Sequence, residues 1–417
     1  MEMTRIYMNK IFMRLKNKTQ LFSAQADDHY HTRLIHSLEV ASIALKIAEK
    51  IKDKYELDVI AIQKGSLLHD IGHTPFGHAG ERTLHKILSG KDDCFGYVKD
   101  IKLYNIKQGF KHNINSGLLY KESTPYFKIE PKVMDAIIKH TDIYYKDENK
   151  LDYGLNYVTN GITELKTDYY NNNPKYIEGY IVSMADEIAQ ICSDYLDLIN
   201  FVDFQEKVRK TKLYNSISDI ESSKYYRKQA ELFCTYLIDL FSKELIDKES
   251  NYILEEDSEF LSVVKDFNKF KKNSIQNNIG IKLFDASKET IIKTLYAFYY
   301  TYPSEMEKGI FDSICESLSN IEGLSQKQYE EINEIINSEN KKNRIVEFIN
   351  QCKNNIVLEG LSKKEVQRNR KIVKMFVRYI AVYISKMTDN FASEKYKKIV
   401  SAKYFLKNSW FFLKKSI

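Results

Sequence analysis

Over 417 residues the chain uses only 15 glycines and 5 prolines. Tight turns lean on those two residue types, glycine for positive φ and proline for a fixed one. A chain so poor in them cannot supply the many hairpins of a β-rich repeat protein. Collagen-like and low-complexity disordered classes are excluded on the same ground. A hydrophobic fraction of 43% leaves enough apolar surface for a sizeable core. The chain is rich in Lys, Ile, Leu and Glu, so it reads as all-α. Length alone allows two or three domains. No internal repeat or composition shift marks a boundary, so one helical body over residues 1–205 with a C-terminal helical extension over 206–417 is expected.

The formal net charge of +6 is mild and is not gathered in one tail. Lys-rich stretches at 363–374 and 395–415 read as solvated helix faces, with a nucleic-acid or polyphosphate surface as the sharper alternative. Tyr and Phe interleave there (Phe376, Tyr379, Tyr383, Tyr396, Tyr404), a pattern compatible with single-stranded nucleic acid but more often a core stripe. The five cysteines are dispersed and form no Cys-x-x-Cys pair, so no disulfide framework or zinc ribbon is indicated. A reducing, cytoplasmic setting is the expectation. The start of the chain lacks the apolar stretch of a signal peptide, and no 18-residue apolar run occurs, so no membrane partner is expected.

Three amphipathic helices are expected early in the chain. The first covers Arg33–Lys54, with Leu34, Leu38, Ala41, Leu45 and Ala48 as its apolar stripe. The second covers Leu57–Ile71 and is broken by Pro75 between Gly72 and Gly77; the third covers His78–Leu88. A loop over Ser89–Gln108 precedes helices at His112–Lys121 and Lys132–Asp142. The polar stretch 146–173 reads as a long loop or weak hairpin, and a helix resumes at Ile177–Ile199. Beyond residue 210 helix follows helix.

Histidine is the informative residue type. Eight of the nine lie between His29 and His112, and His36, His69, His73, His78 and His85 fall on or beside adjacent predicted helices. The pair His69–Asp70 ends a helix before a glycine turn, where an imidazole and a carboxylate can share one divalent ion. Such a mixed N/O set suits Mn, Fe, Ni, Zn or Mg. Two more ligands are needed, and His36 and Asp186 are candidates. Asp186 sits in the run Met184-Ala-Asp-Glu-Ile-Ala189, where a buried carboxylate requires a partner. Taken singly, His69–Asp70 is a chance dipeptide and Asp186 a residue on a solvated face.

Together, His36…His69-Asp70…Asp186 resembles the metal-binding signature of HD-domain phosphohydrolases. The run His69-Asp-Ile-Gly-His-Thr-Pro-Phe-Gly-His-Ala-Gly-Glu81 resembles, more closely, the hallmark of the deoxyguanosine triphosphate triphosphohydrolase (dGTPase) family. Arg14-Leu-Lys-Asn-Lys-Thr-Gln-Leu-Phe22, Asp28-His-Tyr-His-Thr-Arg-Leu-Ile-His-Ser-Leu-Glu-Val40, Gly109-Phe-Lys-His-Asn113 with Ser116, Lys139-His-Thr141, Tyr176-Ile-Glu178 and Met387-Thr-Asp389 are similar to the same family, in the same order. The likeness runs from about residue 5 to residue 395 and is thin between 200 and 285.

This resemblance implies an HD-domain helical bundle over 1–205, with 206–417 completing the substrate pocket and oligomer contacts. It implies that His36, His69, Asp70 and Asp186 coordinate one divalent cation. His78 and Glu81 match the family's catalytic dyad, in which the carboxylate fixes the imidazole tautomer and raises its basicity. Arg33, His73 and His112 match phosphate-contacting positions. Asp194, about two turns after Asp186, matches an acceptor for the sugar 3′-hydroxyl. The implied reaction is hydrolysis of a deoxynucleoside triphosphate at the α-phosphorus, by a homo-oligomer, often a hexamer in this family.

The chain departs from the family at Gln190, where relatives carry a tyrosine that touches phosphate and sugar. Ser193 stands where a histidine often precedes the second acid, and the arginine-rich lead before Arg5 is short. These departures bear on base preference and rate rather than on metal binding. Two other functions compete: an HD phosphohydrolase acting on nucleoside monophosphates or cyclic nucleotides, and a non-catalytic nucleotide- or nucleic-acid-binding protein.

Overall fold

The computed structural model describes residues 3–19, 31–104, 109–123, 129–141, 173–198, 207–217, 225–249, 251–276, 279–321, 323–357 and 360–401. The described residues contain helices and no β-strand; a single bridge joins Thr19 and Thr32. The all-α expectation therefore holds. The expected loop or hairpin over 146–173 lies outside the described residues. None of the helices among the described residues is long and apolar enough to cross a membrane.

The longer helices run in order as α1 (Arg33–Ile51), α2 (Val59–Leu68), α3 (Gly77–Leu88), α4 (His112–Ser123), α5 (Pro131–Lys139), α6 (Ile177–Leu198), α7 (Tyr226–Asp247) and α8 (Glu259–Gln276). They continue as α9 (Ile279–Thr301), α10 (Lys308–Ser319), α11 (Gln326–Ile336), α12 (Lys341–Val357), α13 (Lys363–Ser385) and α14 (Asp389–Ser401). The chain divides into two compact units. The first takes the described residues of Met1–Gly72, Leu119–Glu148 and Gly161–Asp285; the second takes those of His73–Leu118 and Ala286–Ile417. The division thus falls inside the His69–Glu81 motif, after Gly72.

In the first unit α1, α2, α5, α6 and α7 pack around one apolar core that includes Val40, Ile47, Ile62, Ala136, Ile181, Ile188, Phe233 and Phe241. Thr32 caps α1 by accepting from the Ile35 N–H, and Asp58 caps α2 by accepting from the Ala61 N–H at 2.9 Å, so each helix begins where an oxygen side chain satisfies an orphan donor. Glu178, buried at the start of α6, accepts from the Asp58 N–H at 2.9 Å and the Lys132 ammonium at 2.6 Å. It therefore ties the starts of α2, α5 and α6 together. Gly65 lets α2 and α5 approach closely, since a Cβ there would lie 2.7 Å from Ala136 Cβ.

The apolar stripe of α1 is borne out at Ala41 and Ala48, which are buried, and corrected at Leu38. Leu38 is 47% exposed and Ile35 44%, whereas Arg33, His36, Ser37, Val40, Ile43, Ala44, Ile47 and Ile51 are buried. The buried face includes three polar residues at its N-terminal end, which a count of apolar side chains alone passes over. The true face aims Arg33 and His36 inward.

In the second unit α10, α11, α12 and α13 pack together, and α13 also meets α3 and the 3₁₀ turn Lys99–Tyr104. That turn is a helical insertion within the expected Ser89–Gln108 loop. Capping boxes start α11 (Ser325 with Gln328) and α13 (Ser362 with Glu365). Phe376, Tyr379 and Tyr383 are buried, so these α13 aromatics are core and offer no stacking platform for bases. Tyr404 lies outside the described residues.

Candidate metal centre and histidine cluster

In the first unit His36, His69, Asp70, His140 and Asp186 converge from α1, the end of α2, the end of α5 and the middle of α6. His36 Nε2 donates to Asp186 Oδ1 at 2.8 Å. His69 Nδ1–H donates to the Ser66 carbonyl at 2.7 Å, which fixes the tautomer and leaves the lone pair on Nε2. That Nε2 is buried and makes no hydrogen bond, while Asp186 Oδ1 lies at 3.6 Å and Asp70 Oδ1 at 3.7 Å. Asp70 Oδ2 accepts from Arg33, and both residues are buried.

The electrostatics favour a positive charge at this point. Burial alone would lower the His69 pKa, but Asp70 and Asp186 outweigh it and raise it to about 9. Burial likewise opposes the Asp186 charge, yet His36 and His69 hold its carboxyl well below the ordinary range. Two imidazole nitrogens and two carboxylates around a buried nitrogen without a hydrogen bond fit a divalent ion of the borderline class. The clustered His and Asp residues can thus hold a metal.

Two substrate-side candidates also belong to this unit. Asp194 is buried on α6, and its Oδ2 accepts from the Lys271 ammonium of α8 at 2.6 Å. On the same helix pair, Glu187 accepts from the Asn268 amide at 3.1 Å. Sequence reasoning passed over Lys271 and Asn268, since nothing in a lysine-rich helix distinguishes the lysine that meets a buried acid. Gln190 is half-buried on α6, between Asp186 and Asp194.

In the second unit His73, His78, Glu81 and His112 come together. Glu81 Oε1 accepts from both the backbone N–H of His112 at 3.0 Å and its Nδ1 at 2.9 Å. Glu81 Oε2 lies 3.4 Å from His78 Nδ1, and the His78 side chain is 47% exposed. The pairing of His78 with Glu81 is present, but the carboxylate engages His112 more tightly. His73 stacks on His112 with centroids 4.1 Å apart and meets His78 edge-on at 5.4 Å. Burial works against the Glu81 charge, but His112, His78 and His73 outweigh it and hold its carboxyl well below the usual range. His85, further along α3, donates from Nδ1 to the Phe110 carbonyl at 3.3 Å, a structural role.

The start of α3 fixes this cluster. Phe76 sits in the left-handed region at φ 62°, and its N–H donates to Asp389 Oδ1 at 2.9 Å. Gly80 packs so closely under the preceding loop that a Cβ would meet the Pro75 carbonyl oxygen at 2.1 Å.

The HD domain family model matches residues 33–191, the span that carries His36, His69, Asp70 and Asp186. Residues 33–191 thus match the HD domain, a metal-dependent class, and the chain as a whole is similar to dGTPase-like proteins. It is 28% identical over 414 residues to a deoxyguanosinetriphosphate triphosphohydrolase-like protein of Rickettsia rickettsii (strain Iowa), covering 96% of this chain and 90% of the relative. A protein of the same name in Rickettsia prowazekii (strain Madrid E) is 28% identical, over 96% of this chain and 91% of the relative. One from Rickettsia akari (strain Hartford) is 31% identical over 233 residues, 52% of this chain and 51% of the relative. The domain and these relatives support a phosphohydrolase.

Proposed function

We propose that the chain hydrolyses a deoxynucleoside triphosphate at the α-phosphorus, releasing deoxynucleoside and tripolyphosphate. One observation carries this reading: the buried His69 Nε2, without a hydrogen bond, facing the Asp70 and Asp186 carboxylates. The names of relatives that align over 96% of the chain support the substrate class.

In this reaction His36, His69, Asp70 and Asp186 hold one divalent cation. When bound, it supplies a Lewis acid for the α-phosphate and lowers the pKa of the attacking water. A bond forms from the water oxygen to phosphorus, and the bond from phosphorus to the 5′-oxygen breaks. Glu81 orients the histidine pair through Nδ1, so that Nε2 of His78 moves the proton that the 5′-oxygen needs. His73 and His112 hydrogen-bond phosphate oxygens, and Arg33 adds a fixed guanidinium fork. Asp194 accepts from the 3′-hydroxyl, and Gln190 contacts the substrate in place of the family tyrosine. A homo-oligomer belongs to the same reading.

The test is incubation of the full chain with Mn²⁺ or Mg²⁺ and each of the four dNTPs, singly and mixed, with products identified by phosphorus NMR and chromatography. Tripolyphosphate plus deoxynucleoside supports the reading, and Asp70→Ala should abolish both. Absence of turnover with every dNTP and every mixture would overturn it. If Asp70→Ala left binding of single-stranded nucleic acid intact in a protein without turnover, the binding-only alternative would take its place.

A further inference from the structure

We propose that His140 supplies a further protein donor, through Nε2, to the cation held by His36, His69, Asp70 and Asp186. The inference rests on the metal reading above. His140 is buried and directly follows the last residue of α5, as His69 directly follows the last residue of α2. Each imidazole donates Nδ1–H to the carbonyl three residues earlier, His69 to Ser66 and His140 to Ile137, at 2.7 Å in both cases. The carbonyls at a helix C-terminus lack intrahelical partners, so this bond satisfies one of them and fixes the ring at the same time.

The two rings then turn toward one atom. Asp70 Oδ1 lies 3.7 Å from His69 Nε2 and 3.9 Å from His140 Nε2, and the rings stand edge to face with centroids 4.9 Å apart. The match extends to the helices behind them. Gly65 and Ala136, where α2 and α5 approach closely, each lie four residues before their histidine. The two helices therefore cross one turn before both imidazoles and deliver them side by side. Ser183, one turn before Asp186 on α6, donates its hydroxyl to the His140 carbonyl at 2.9 Å and fixes that backbone too.

Of the residue sets that could hold an ion, two contain His69: His36–His69–Asp186 and His69–Asp70–His140. They share His69, whose Nε2 has a single lone pair and can serve one ion only. Both sets therefore describe one cation. Donors to one ion with bonds of about 2.1 Å lie roughly 3–4 Å apart, which the observed separations approach. A third imidazole shifts the donor set toward nitrogen and favours Mn²⁺, Fe²⁺ or a later transition ion over Mg²⁺.

Pulsed EPR of the full chain loaded with Mn²⁺ counts directly bound imidazole nitrogens. Three are expected in the wild type and two in His140→Gln, with Mn²⁺ binding weakened by about 10- to 100-fold in that variant. Two nitrogens in the wild type would overturn the role of His140 and leave the metal reading standing. That count decides the matter even if His140→Gln does not fold. A wild type that binds no Mn²⁺, Fe²⁺ or Zn²⁺ would overturn both.

Discussion

Glu81 lies closer to His112 than to His78: its Oε1 is 2.9 Å from His112 Nδ1, its Oε2 3.4 Å from His78 Nδ1. The carboxylate thus organises a group of imidazoles rather than a single pair. Glu81→Gln preserves the shape but removes the charge. It should lower kcat by about 10²–10⁴-fold with KM for the dNTP little changed. His112→Ala should lower kcat as well and also raise KM, because it removes both the nearer partner of Glu81 and a phosphate contact. Steady-state kinetics on both variants decides this, and a kcat within threefold of wild type in Glu81→Gln would remove Glu81 from the proton pathway.

The buried Arg33–Asp70 pair makes a separate prediction about stability. Removing one partner strands a charge, so Arg33→Met should cost about 3–5 kcal/mol in urea unfolding. A loss below about 1 kcal/mol would show that the pair is solvated in solution.

Metal removal should act on the fold as well as on turnover. A chelator should abolish hydrolysis and lower the melting temperature, and Mn²⁺ at about 100 times its Kd should return about 2.7 kcal/mol. Scanning calorimetry with and without the ion measures this. Equal melting temperatures would mean that the cluster holds no ion.

Gly80→Ala tests how tightly α3 is seated. The added methyl meets the Pro75 carbonyl oxygen and Thr74 Oγ1, so either the helix or the loop must move. A loss of about 1–3 kcal/mol is expected, with a larger loss of kcat than of KM, since His78 and Glu81 flank the site of the clash. Unchanged unfolding and kinetics would show that the Thr74–Gly77 segment yields freely.

Lys353 gives the pH dependence. Its ammonium lies 3.7 Å over the Tyr300 ring, and burial lowers its pKa from 10.5 to about 8 although Asp100 pulls the other way. Below about pH 8 both folded and unfolded chains carry the charge, and the folded state bears the full penalty. Between 8 and 10.5 the unfolded chain binds more protons, so stability rises with pH. Lys353→Met should therefore gain about 3 kcal/mol at pH 7 and almost nothing above about pH 11.5. Urea titrations of both proteins at the two pH values test it, and a gain independent of pH would contradict the assignment.

Much of this was legible in the sequence, and the exceptions share a cause. Scarce Gly and Pro pointed to helices, and the clustered histidines pointed to the candidate site, because both signals are local. The buried face of α1 was legible only in part because Arg33, His36 and Ser37 belong to it, and a polar residue turned toward a functional cluster looks like one turned toward water. The reach of His112 to Glu81 and of Lys271 to Asp194 spans 31 and 77 residues, and only the fold brings such partners together. His140 carried no sequence signal beyond its family-like neighbours, since its role depends on where α5 stops.

The bond from Phe76 to Asp389 joins residues 313 apart. During synthesis the motif that bears His78 and Glu81 is made well before the residue that braces its helix. The nascent chain can therefore display every residue of the motif before the residue that braces its helix exists. A chain that stops before Asp389 would carry the whole motif without this brace on its helix.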